Sequence, residues 1–97
     1  MNLKYKLEQA ASNGEQVERE RGIQWAESEG KPVLEEWLTR HARRGVWGEL
    51  LTADRLDLFG RSAVFQDAAL THLAKWLDSE GLKVEDLGHG VYTVSWR

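Results

Sequence analysis

The chain has 97 residues, enough for one small domain with a modest core. Its 41% hydrophobic and 30% charged residues, with a formal net charge of −3, form a globular mixture too balanced to force disorder. The lack of cysteine excludes disulfides and thiolate metal sites, and no apolar run reaches the roughly 20 residues that cross a bilayer.

The N-terminus is charged and carries no apolar signal-peptide core, so a soluble, cytoplasmic protein is expected. Leu3, Leu7, Ala10, Gly14, Val17 and Trp25 follow helical spacing, with Arg21 interrupting the stripe. They predict helix from Leu3 to about Glu29, either as one piece or as two broken at Asn13-Gly14. Val17, Ile23 and Trp25 share parity, which also admits a strand over Gln16–Trp25. The abundance of Glu, Gln, Ala and Arg favours helix. Gly30-Lys31-Pro32 reads as a break, with Pro32 in the first turn of a new helix running to about Arg44. That helix sets Leu34, Trp37, Leu38 and His41 on one face. Glu35 and Glu36 near its start and Arg40, Arg43 and Arg44 near its end suit the helix dipole, and Gly45 can close it.

Val46–Arg61 has two solutions. As helix, Thr52 is the N-cap, Leu51 and Leu56 form a hydrophobic staple, and Gly60 ends the element. As hairpin, Val46–Leu51 and Arg55–Phe59 are strands joined at Thr52-Ala53-Asp54. Leu, Ala, Asp and Arg favour the helix, which is the expectation.

The clearest stretch comes last. Phe65, Ala69, Leu70, Leu73, Trp76 and Leu77 fall on one side of a helix, and Asp67, Thr71, Lys75 and Asp78 on the other. Ser62 is its N-cap, and Gly81 closes it with Leu82 folding back onto Leu77. After Gly81 the period drops to two. Leu82 and Val84, then Tyr92, Val94 and Trp96, alternate with polar residues around a Gly88-His89-Gly90 turn, which predicts a β-hairpin lying on the helix. The fold expected is α+β: one mostly helical domain over residues 1–97 with a C-terminal hairpin.

The order of short helix, turn at Gly60-Arg61, long helix and hairpin resembles a winged helix-turn-helix in layout. The resemblance covers roughly Pro32 to Trp96 and implies a helix that enters the major groove of DNA. Aligned on Gly60, Arg55, Arg61 and Gln66 stand where the family has apolar residues, and the outer face of the long helix is close to neutral.

Chemistry-bearing motifs are few. Gly88-His89-Gly90 opens no helix and so makes no phosphate loop, and Gly60-Arg61-Ser62 lacks the second glycine of a nucleophile elbow, where Val64 stands. His41, His72 and His89 are scattered without local partners for a metal. No catalytic residue, cofactor or metal is expected, and an enzyme is not. Five tryptophans against two tyrosines and two phenylalanines suit either a thin core or a binding surface. Arg40, Arg43, Arg44 and Trp47 gather the only cationic cluster beside a tryptophan, and they are the candidate partner-binding residues. The expected function is non-enzymatic: a regulator, adaptor or inhibitor acting through contact with another protein. A winged-helix-like DNA-binding regulator is the alternative, disfavoured by the acidic balance.

Overall fold

The computed structural model describes residues 2–97. Its architecture is α+β and mostly helical, as expected: three α-helices and a three-stranded antiparallel sheet. Helix α1 spans Leu3–Trp25, α2 Lys31–Arg43 and α3 Ala63–Ser79; strands β1, β2 and β3 span Gly48–Leu51, Lys83–Gly88 and Val91–Ser95.

The break expected at Gly30-Lys31-Pro32 does not occur. A π-helical turn over Ala26–Gly30 joins α1 to α2, and the Lys31 N–H reaches back five residues to the Ala26 carbonyl. Such a turn is wider than an α turn, so the Pro32 ring avoids the Ser28 carbonyl it would otherwise strike. Neither Asn13-Gly14 nor a strand over Gln16–Trp25 interrupts the rod. Asn2 caps its start by accepting from the Tyr5 N–H at 2.8 Å. From Leu3 to Arg43 the helical path is about 60 Å at 1.5 Å per residue. That matches the molecule's longest extent, 60 Å against 24 and 23 Å in the other directions.

The rod meets the body along Gly22, Ala26, Gly30, Leu34 and Leu38, all buried and each four residues from the last. In a pure α-helix positions four apart drift by about 40° per step. The extra residue taken up by the π turn offsets that drift and keeps the stripe against the body. The contact is close because the residues are small. A Cβ on Gly22 would lie 2.5 Å from the Phe65 carbonyl oxygen of α3, and one on Gly30 would lie 2.9 Å from the Trp25 ring and 3.2 Å from a Leu73 methyl. The buried face of α1 is therefore not the Leu3–Val17 stripe, which stays in solvent.

Between Val46 and Arg61 neither expected solution is complete. Gly48–Leu51 is a strand, but its partner is β3, with Gly48 opposite Ser95 and Leu51 opposite Tyr92. The second half is one 3-10 turn, Asp54–Leu56, which Asp57 closes in a left-handed conformation. Leu51, Leu56 and Leu58 are buried, so the apolar positions of both schemes reach the core.

Helix α3 and the hairpin form as expected. The Ser62 hydroxyl oxygen accepts from the Phe65 N–H at 3.1 Å. Gly81 adopts φ +94°, and the Leu82 N–H bonds the Leu77 carbonyl, closing a Schellman cap. The turn between β2 and β3 carries positive φ at His89 and Gly90, as two-residue hairpin loops require. The sheet order is β1-β3-β2, which puts β3 in the centre and Val94 over the buried face of α3. Phe65, Ala69, Leu70, Leu73 and Leu77 meet Leu34, Leu38, Leu51 and Val94 in one core. Trp25, Trp37, Trp76 and Trp96 pack half-buried around it, so four of the five tryptophans serve the thin core.

Candidate functional site

The fifth tryptophan, Trp47, is 53% exposed. It follows the Schellman turn that ends α2, in which Gly45 takes φ +84° and the Gly45 and Val46 N–H groups bond the Ala42 and His41 carbonyls. That turn leads the chain directly into β1. The Trp47 carbonyl accepts from the Trp96 N–H at 3.1 Å and the Ser95 hydroxyl at 3.3 Å. Its backbone is thus pinned to the sheet while the ring faces outward. The Arg97 guanidinium stands 5.8 Å from the ring centroid, a cation–π contact.

Arg40, Arg43 and Arg44 are all exposed along the last turns of α2. Arg40 pairs with Glu36 at 3.0 Å, one turn back on the helix. Arg43 and Arg44 have no ion-pair partner within 4 Å among the described residues. Part of the cationic cluster is therefore spent within the helix and part is free. Arginine forks of this kind bind carboxylate or phosphate in two parallel hydrogen bonds, while an exposed indole supplies apolar area and an N–H.

Two neighbouring features escaped the sequence. A groove of about 520 Å³ runs between α2 and the C-terminal end of α3, with Leu38, Ala42, Leu77 and Leu82 along it. Trp76 and Trp96 also line it, together with the carboxylates of Glu35 and Glu80. The Trp76 indole N–H donates to Glu80 at 3.2 Å, and the Lys31 ammonium lies 5.5 Å from the Trp76 ring centroid. Helical spacing put Trp76 on the buried side and strand parity did the same for Trp96. Nothing local to either stretch reveals that the two rings line one groove.

The second feature is a polar link between α2, β1 and the 3-10 turn. The Glu49 carboxylate meets the His41 Nδ1 at 3.0 Å and the Arg55 guanidinium at 3.3 Å. Arg55 lies over the Trp37 ring at 5.7 Å, and Trp37 meets the His41 ring edge-on at 5.2 Å. His41 and Arg55 both bond the one Glu49 carboxylate, so the cluster ties the sheet to α2. His72 is held similarly, bonding Glu27 of the π turn. The Lys31 ammonium and then His72, both hydrogen-bonded to Glu27, hold its carboxyl below the ordinary carboxylate range.

Among the described residues, no three His, Asp or Glu side chains gather into a metal-holding group, and no helix is long and apolar enough to cross a membrane. Comparison with known proteins finds no match, whether to a protein-family model, a curated protein or a solved structure.

Proposed function

We propose that the chain is a non-catalytic binding protein, a regulator, adaptor or inhibitor that engages an acidic surface of another protein through Arg40, Arg43, Arg44 and Trp47. The observation that carries this reading is an exposed Trp47 ring three and four residues beyond two exposed arginines that have no ion-pair partner among the described residues. Binding energy concentrates in such Trp and Arg anchors. Arg97, stacked on the same ring, adds a cation that the partner's carboxylates would also meet.

The test compares the proteins cross-linked to the intact chain with those cross-linked to Arg43→Glu/Arg44→Glu and to Trp47→Ala. Both variants should lose the same partner while keeping the near-ultraviolet dichroism of the fold, because exposed charges contribute little to stability. An unfolded Trp47→Ala together with an unchanged partner set in the arginine variant would make the patch structural.

A second reading, a winged-helix-like DNA-binding regulator, has the sheet order β1-β3-β2 with α3 ahead of the hairpin in its favour. The exposed stripe of α3 argues the other way, since Asp67 and Asp78 outnumber Lys75. A duplex-binding assay belongs beside the cross-linking. Tight, salt-sensitive binding abolished by Lys75→Glu would reverse the preference.

A further inference from the structure

About the first four turns of the rod are exposed on every side among the described residues. Every residue from Asn2 to Val17 is exposed, and Leu3, Leu7 and Val17 keep 69%, 59% and 46% of their surface in solvent. An isolated helix of about 15 residues is marginal in water, since most helical stability comes from packing an apolar stripe. Here the stripe is present and uncovered. Leu3, Leu7, Ala10, Gly14 and Val17 alternate in steps of four and three, the seam of a two-stranded coiled coil.

We infer that this seam pairs with the same seam of a second copy, antiparallel, to make a two-fold dimer. The charges flanking it select that partner and that direction. Lys4 and Lys6 lie beside the seam at its start, Glu18 and Glu20 beside it at its end. Laid antiparallel with Leu7 opposite Val17, the pairing brings Lys4 against Glu18 and Lys6 against Glu20, and two-fold symmetry repeats both pairs. Ala10 then faces Gly14, so small residues occupy the centre and the two backbones approach closely. At each end Arg21 meets Leu3 and covers it with its aliphatic stem.

Other arrangements fit worse. Sliding the copies by a heptad one way sets Lys4 and Lys6 against Ala11 and Asn13. Sliding them the other way sets Leu7 against Gln24. A parallel pair gives neither lysine an acidic neighbour across the seam, and Lys4 keeps only Glu8 of its own helix, at 3.7 Å. Glu18 is not idle in the monomer, where the Ser62 hydroxyl donates to it at 3.1 Å and the Arg21 guanidinium lies 3.6 Å away. Its side chain is nevertheless 33% exposed, and Lys4 of the second copy approaches from the open side. The folded bodies end up at opposite ends of the paired rods, which leaves the Trp47 surface of each copy free.

Sedimentation velocity over a concentration series tests this. The intact chain should pass from monomer to dimer. Lys4→Glu/Lys6→Glu and Glu18→Lys/Glu20→Lys should each weaken self-association roughly ten- to a hundredfold at low salt, as four ion pairs turn repulsive. An equimolar mixture of the two variants should dimerise again, because every flanking pair becomes complementary. All five tryptophans lie beyond Val17, so their near-ultraviolet signal reports whether each variant's body stays folded. A chain that stays monomeric up to its solubility limit overturns the second copy as occupant and leaves the seam to another protein's helix. Dimers that survive in both charge-reversed variants overturn the antiparallel register.

Discussion

The two ends of the long rod obey different rules. From Gly22 to Leu38 the helix is held by the body, and the residues that hold it are mostly small: Gly22, Ala26 and Gly30 before Leu34 and Leu38. From Leu3 to Val17 the helix carries Leu3, Leu7 and Val17, and every residue along it is exposed. Side-chain size alone would rank Gly22, Ala26 and Gly30 below Leu3, Leu7 and Val17, yet the small residues are the buried ones. Closeness of approach decides, because a glycine against a backbone lets two helices share many weak contacts that a leucine on an open face cannot make.

The sharpest way to test that contrast is to truncate one leucine in each region. Leu73 of α3 is fully buried against the Gly30 turn, whereas Leu7 lies on the open stretch. Leu73→Ala should lower unfolding stability by about 2–5 kcal/mol, the range for large-to-small core changes. Leu7→Ala, measured dilute enough to keep the chain monomeric, should change the unfolding free energy of the body by less than about 0.5 kcal/mol. Equal losses would mean that the open stretch folds back onto the body.

Glycine gives a smaller effect, with opposite signs in the two regions. At Gly14 an added Cβ meets nothing within 4 Å, so in the monomer, at the same dilution, Gly14→Ala should stabilise the helix by about 0.5–1 kcal/mol through propensity alone. At Gly22 the same methyl would press on the Phe65 carbonyl at 2.5 Å and on Ala68 at 3.1 Å. Backbone is the obstacle there, and α3 must move away. Gly22→Ala should cost about 1–3 kcal/mol, the usual range for overpacking. Thermal melts of the two variants beside the parent check both signs. A stabilised Gly22→Ala would show that the rod is not seated on α3 where described.

Legibility in the sequence followed the same division between local and distant causes. Helix α3 was readable to both ends because Ser62, the apolar stripe and Gly81 all lie within one segment. The hairpin was readable for the same reason. Strand β1 was legible only as one of two solutions for Val46–Leu51, and its partner was not, because its hydrogen bonds go to β3 more than 40 residues away, as in Gly48 opposite Ser95. The union of α1 with α2 was missed since Gly30 and Pro32 signal a stop, and only the π turn accommodates them. The spacing of Gly22, Ala26 and Gly30 was a usable signal for the buried face, but it is invisible to a search for large apolar residues. At the candidate site, the position of Arg40, Arg43, Arg44 and Trp47 around the end of α2 was legible from Gly45. The Arg97 contact and the Trp76–Trp96 groove depend on β3 returning to pair with β1, which no local pattern announces.

The smallest effect lies where the held part of the rod begins. Glu27 sits in the π turn, bonded to Lys31 on its own strand of helix and to His72 on α3. Lys31 first and His72 second hold its carboxyl below the ordinary value of 4.5. A carboxylate depressed in the folded state stabilises fully above the unfolded value and loses that contribution as pH falls through the folded one. Glu27→Gln should therefore lower the denaturant midpoint by a small amount above pH 4.5. The gap between variant and parent should then close on further acidification. Because Glu27 is solvent-exposed, added salt should shrink the gap as well. His72→Ala should reproduce only the part of the pattern that depends on the link to α3, whereas Lys31→Ala removes the larger contribution. A gap that stays constant deep into acid would show that the Glu27 charge does not help to hold the rod at the π turn, leaving its seating there to Gly22, Ala26 and Gly30.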